Sequence, residues 1–164
     1  DTTRAQLPLI LNAFLDHPQE WDKLRADPGL VGRAVDEGMR FAPLPWVIPH
    51  RATRDMIYWD IAFAEGDLAF VMVPAANRDP SATERPDEFI IDRAPARHFA
   101  FGAGMHSCPG AHLAKMEMSM ALLGLLEACA DIQRAAPPEW EPGQEGRTLR
   151  RLDITIRKMK PLHG

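Results

Sequence analysis

Two cysteines in 164 residues, Cys108 and Cys129, are too few for the disulfide framework of a small secreted domain and point to a reduced, cytoplasmic compartment. No run of about 18 apolar residues occurs, so no segment of the chain is expected to span a bilayer. A formal net charge of -4 gives no basic footprint for nucleic acid or for an anionic membrane surface. Internal repeats are lacking, and the one compositionally biased tract is the Pro- and Glu-bearing loop "APPEWEPGQEG". An initiator methionine is lacking too. The chain opens on "DTTRAQLPLILNAF", where Leu7, Leu9, Ile10, Leu11 and Phe14 already carry helical periodicity, so an amino-terminal part, or a second chain in its place, is expected to precede it. What is present, 46% hydrophobic and 26% charged residues, suffices for one globular domain with a core and not for two, so residues 1–164 read as a single unit.

Periodicity predicts a helix over residues 1–16, with Pro8 expected to bend or end it. A second helix over "PQEWDKLRAD" has Pro18 at its first position and Pro28-Gly29 after its end. A third runs from about Leu30 to Phe41, since Val31, Ala34, Val35, Gly38 and Met39 share one side and "APLPW" stops it. From His50 to Val73 short β-branched and aromatic runs, "HRATR", "MIYWDIAF" and "DLAFVMV", predict strands separated by turns. Residues 74–100, with four prolines, predict a long irregular coil, and coils of that length inside a domain are usually functional or disordered. A helix is expected from the following loop to about Ala130, with Leu113, Met116, Met120, Leu123 and Leu125 or Leu126 on its buried side. "DITIRK" alternates like a strand.

Between coil and helix lies "FGAGMHSCPGAHLAKMEM", residues 101–118. Gly102, Gly104 and Gly110 permit backbone conformations closed to other residues and close approach of a ligand to the main chain. Cys108 is expected immediately before a helix opened by Pro109, where unpaired amides and the helix dipole favour a thiolate. Such a thiolate could ligate haem iron from a flat glycine loop. It could ligate zinc together with His106 and His112, although a closed zinc site needs a fourth ligand. It could also act as a nucleophile paired with either histidine. The plain alternative is a glycine-rich turn ending in a buried cysteine.

Residue order separates these uses. Phe101, Gly104, Cys108 and Gly110 fit Phe-x-x-Gly-x-x-x-Cys-x-Gly, and with His106 the string resembles the haem-binding loop of the cytochrome P-450 family, for which Cys-thiolate ligation of haem iron is the known arrangement. Three further stretches match in the same order. "EGMR" resembles the family's Glu-x-x-Arg, in which Glu37 and Arg40 would join Arg93 of "PDEFIIDR"; Pro86 and Phe89 stand where that coil should have them. The bidentate fork of a guanidinium suits such a carboxylate. "HRATRD" places Arg51 like the strand arginine that holds a haem propionate, a role His106 would share. "DTT" places Asp1 and Thr2 like the acid and threonine that pass protons to iron-bound dioxygen, although Asp-Thr is also an ordinary helix cap.

The resemblance covers essentially the whole chain, and what it implies is the carboxy-terminal part of the P-450 fold, mostly α with small β-sheets (α+β). It implies haem b held by Cys108, with Phe101, Gly102, Gly104, His106, Gly110 and Arg51 around it. It further implies a monooxygenase that uses dioxygen and electrons from a ferredoxin or flavoprotein donor to hydroxylate a hydrophobic small molecule. Leu44, Trp46, Val47 and Ile48, with Thr148 and Leu149, are expected to face that substrate, and Arg97 and Lys115 to steer an acidic redox partner. The alternative is a non-catalytic fragment that binds haem or a partner without turnover.

Overall fold

The computed structural model describes residues 2–141 and 148–158. Helix α1 (Thr2–Asp16) buries Gln6, Leu9, Ile10, Ala13 and Phe14, a spacing of three and four that makes one stripe. It continues through Pro8, so the stop that a proline there could impose does not occur. The carbonyl that a proline nitrogen cannot serve belongs to exposed Arg4, where water can meet it. Helix α2 (Pro18–Ala26) begins on its proline. Helix α3 (Val31–Phe41) buries Ala34, Val35, Gly38 and Met39, and also Glu37 and Arg40.

Helices α1 and α3 cross where Gly38 leaves room for Ile10. Phe14 packs edge-on against Trp21 at 5.4 Å and against Phe89 at 5.1 Å. Phe89 and Ile91, 2% and 0% exposed, pin the irregular segment after residue 76 onto this three-helix core. That burial orders a coil which has no ladder of its own.

Four two-stranded antiparallel sheets surround the helices. Strand β1 (Val47–Arg51) pairs with β4 (Leu68–Met72), and β2 (Met56–Tyr58) with β3 (Ile61–Phe63). A short helix α4 (Val73–Ala76) leads from β4 into the coil. After the cysteine loop comes helix α5 (Ala111–Ala128), followed without a break by β5 (Cys129–Arg134). Then β6 (Glu139–Glu141) pairs with β7 (Thr148–Arg151), and β8 (Ile154–Lys158) returns to β5. The biased tract expected as loop thus contains β6, and its residues 142–146 lie outside the described residues.

The buried side of α5 agrees with expectation at Leu125 and Leu126, which pack against the core, and differs nearer its start. Met118 and Leu122 are buried, whereas Leu113, Met116 and Met120 are 55%, 55% and 66% exposed. Apolar residues stand on both faces of this helix, so periodicity alone cannot choose between them. Contact with α3 and α1 makes the choice. Among the described residues no helix is long and apolar enough to cross a membrane.

Candidate functional site

A cavity of about 960 Å³ opens between the start of α1, strands β1 and β4, and the cysteine loop. Cys108 lines it with Phe101, Leu44, Ile48, Leu113 and Met118, so one exposed thiol faces a mostly apolar space. The loop is built for this placement. Gly102 and Gly104 have φ of 71° and 72°, the left-handed region that costs other residues energy. The chain between them and Cys108 makes a single 3₁₀ turn, Gly104–His106. The Cys108 amide then donates back to the Phe101 carbonyl at 2.8 Å, closing the loop. Gly110 has φ of -88° and needs no such freedom; a Cβ on it would stand 3.9 Å from Cys108 Sγ. Pro109 lies in a turn, not at the first helical position, because α5 begins only at Ala111.

Glu37, Arg40 and Arg93 come together between α3 and the coil. Arg40 Nε and Nη2 donate to Glu37 Oε2 and Oε1 at 2.8 and 2.9 Å, and Arg93 Nε reaches Oε1 at 3.3 Å. The remaining donors serve main chain of the coil. Arg40 donates to the carbonyls of Asn77, Pro86 and Glu88 at 3.0, 2.7 and 2.9 Å. Arg93 donates to those of Glu84, Arg85 and Glu88. Glu37 Oε1 also accepts the Ile90 amide at 2.9 Å. A buried carboxylate and two guanidinium forks thereby satisfy backbone groups that a coil cannot pair internally.

The expected site residues divide between this cavity and other places. Thr2, Leu44, Ile48, Gly102, His106, Gly110 and Thr148 line it with Cys108; Asp1 lies outside the described residues. Val47, Arg51 and Leu149 do not line it. Successive side chains of a strand face opposite ways, so in β1 Ile48 and His50 face the cavity and Val47 and Arg51 do not, and in β7 Thr148 faces it and Leu149 does not. The exposed Arg51 guanidinium donates to the Gly66 carbonyl at 3.1 Å. Trp46, just before β1, belongs instead to a separate cavity of about 460 Å³ with Arg78, Arg134 and Trp140. Of the two proposed steering cations, Arg97 is exposed and Lys115 is paired with Asp36 at 2.6 Å. His112 is exposed and not among the residues lining the cavity, and the described residues contain no metal-sized cluster of His, Cys, Asp and Glu, which leaves the zinc arrangement without ligands.

Several contributors were not read from the sequence. Asn77, 1% exposed, accepts the Phe99 amide on Oδ1 at 2.7 Å and donates from Nδ2 to the Arg40 carbonyl at 3.2 Å, tying α3 to the stem of the cysteine loop. Buried Gln6 joins α1 to residues 42–44 by bonds of 2.7 Å to Ala42 O and from Leu44 N. Their only sequence signal is polarity among apolar neighbours. Burial alone would raise the Asp36 carboxyl, but side-chain contacts with His98 and Lys115 and the Lys115 charge outweigh it and hold the group below the ordinary carboxylate value.

The family profile described as Cytochrome P-450 matches residues 14–138. A polyketide biosynthesis cytochrome P-450, PksS of Bacillus subtilis, is 35% identical over 89% of this chain and 37% of its own length. Nocardicin C N-oxygenase of Nocardia uniformis is 34% identical over 92% of this chain and 38% of its own. The crystal structure of the P-450 BioI, in complex with an acyl carrier protein bearing hexadec-9Z-enoic acid, superposes with a TM-score of 0.92 at 32% identity. It covers 95% of this chain and 41% of that one. The chain therefore spans about two-fifths of the length of the relatives it matches.

Proposed function

Since this chain belongs to the cytochrome P-450 family, we propose that it carries the cysteine side of the haem site of a cytoplasmic haem-thiolate monooxygenase that hydroxylates a hydrophobic small molecule. The observation that carries this reading is Cys108, projected by a glycine loop into a large apolar cavity. The residues present fit a haem. The thiol would supply a sulfur ligand to the iron, and Gly102 and Gly110 add no side chain to the lining, of which Gly104, expected there too, is not part. Apolar walls accept a macrocycle, and Arg4, His50 and His106 line the same space as partners for propionates. Arg51, which the resemblance offers for the same task, does not line the cavity and donates to the Gly66 carbonyl instead.

When bound, the haem supplies the iron at which dioxygen is activated with electrons from a ferredoxin or flavoprotein donor. Cys108 would ligate that iron, and the hydrogen bond from its amide to the Phe101 carbonyl holds the loop that carries the sulfur. Thr2, which lines the cavity, would hand protons inward by its hydroxyl, with Asp1 beside it in sequence. Leu44, Ile48 and Thr148 form the wall available to a substrate, whose apolar character they select. Exposed Arg97 is the cation on offer to an acidic donor protein.

The test is spectroscopic. The full-length protein containing this chain, reduced under carbon monoxide, should show the strongly red-shifted Soret band of thiolate ligation, and Cys108→Ala should abolish it. A colourless protein would overturn the haem reading. A coloured protein that oxidises no substrate with any donor would reduce the function to haem binding.

A further inference from the structure

Phe101, whose carbonyl holds the Cys108 amide, is surrounded by groups to which the haem reading gives no role in ligation. Asp36 stands on α3 beside Glu37, and its Oδ1 lies 2.6 Å from Lys115 Nζ on α5 and 3.7 Å from His98 Nε2 in the stem of the loop. No hydrogen bond of normal geometry reaches that oxygen, so these contacts are electrostatic. The two partners of Asp36 both lie against Phe101. The Lys115 ammonium is 5.8 Å from the centre of the Phe101 ring, and the His98 ring is 5.9 Å from it. His98 is nearly buried, its side chain 7% exposed, and its Nδ1 accepts the Ala100 amide at 3.3 Å.

We propose that Asp36 is a positioning residue for the cysteine ligand. By drawing Lys115 and His98 onto Phe101, it sets the Phe101 carbonyl and, through the Cys108 amide, the place of the sulfur in the cavity. Adjacent acids on one helix thereby divide two tasks: Glu37 orders the coil and Asp36 orders the loop. Lys115 is accordingly a structural cation, neutralised by Asp36, and not a steering charge. The role is positional because a half-exposed ion pair adds little to overall stability, whereas a small displacement of a ligand changes what it can coordinate. The inference rests on the haem-thiolate reading for its consequence at iron, and on Phe101 and Cys108 alone for its geometry.

The test uses the full-length protein with Asp36→Asn, Asp36→Glu, Lys115→Met and the double Asp36→Asn/Lys115→Met change, measured in both haem-loaded and haem-free form. Haem transfer to excess apomyoglobin reads the loaded site. Alkylation of Cys108 by iodoacetamide reads the empty loop, where Cys129, 1% exposed, does not compete. Asp36→Asn and Lys115→Met should each raise both rates roughly two- to fivefold, the scale of a half-exposed ion pair. The double variant should go no further than either single one, Asp36→Glu should fall between Asn and the parent, and the melting temperature should hardly move. Parent-like rates in both single variants, or additive effects in the double, would overturn the proposal. A parent protein with no thiolate band would instead overturn the haem reading, while the alkylation rates would still judge Asp36.

Discussion

On an isolated helix, Glu37 and Arg40 would contribute about 0.2–0.5 kcal/mol as an i,i+3 pair. Here they are 5% and 1% exposed, and between them they meet Arg93 and four coil backbone groups. At that depth the relevant quantity is the cost of leaving a charge unpaired, about 3–5 kcal/mol when one member is removed. Arg40→Ala is therefore expected to lower unfolding free energy by that amount in denaturant titration. Glu37→Gln, which keeps the shape but leaves two guanidinium groups facing a neutral amide, should approach it. A decrease below about 1 kcal/mol for Arg40→Ala would mean that the coil is held chiefly by Phe89 and Ile91. The spacing of Glu37 and Arg40 was legible in the sequence, but its depth was not, because both residues would read the same on a solvated helix face.

Between elements, the α1–α3 crossing turns on one missing side chain. A Cβ at Gly38 would stand 2.7 and 2.8 Å from Ile10 Cγ1 and Cγ2, and Ile10 is fully buried. Both branches of a β-branched side chain would have to move, in a core with no free volume. Gly38→Ala gains up to about 1 kcal/mol of helix propensity and loses about 1–3 kcal/mol to overpacking, so the denaturation midpoint should fall, and Ile10→Ala, which removes both contacting branches, should cost less in the Gly38→Ala chain than in the parent. The element boundaries that sequence patterning missed have similar causes. Pro8 reads as a helix breaker until its orphan carbonyl is found on exposed Arg4. Residues 129 and 130 read as the end of the apolar helix, yet they open β5, where Ile132 pairs with Ile156 of β8, a partner more than twenty residues away. Strand alternation decides that Ile48 and Thr148 face the cavity while Val47 and Leu149 do not, a distinction that needs the register of β1 and β7.

For the whole molecule, the chain leaves large apolar side chains uncovered on two sheets and one helix: Ile57 and Trp59 at 75% and 87%, Phe70 at 57%, and Met116 and Met120 at 55% and 66%. Exposed apolar surface of this kind binds other apolar surfaces. The 164-residue chain on its own is expected to bind an environment-sensitive apolar dye strongly. Replacing Leu113, Met116 and Met120 together with glutamine should cut that binding without lowering the melting temperature, since none of the three is buried here; a large drop in melting temperature would mean that this face is packed in solution. The sequence by itself determined the family resemblance, the identity of Cys108 as the distinctive thiol, and the residues that make the coil's charged anchor, because fixed spacings of glycine, cysteine, arginine and glutamate record local chemistry. Only the tertiary structure decided which face of α5 is buried, which strand residues see the cavity, and that Asp36, His98 and Lys115 converge on Phe101. Such relations reach far along the chain, Asp36 lying 79 positions before Lys115, and no periodicity along the chain reports a distance across it.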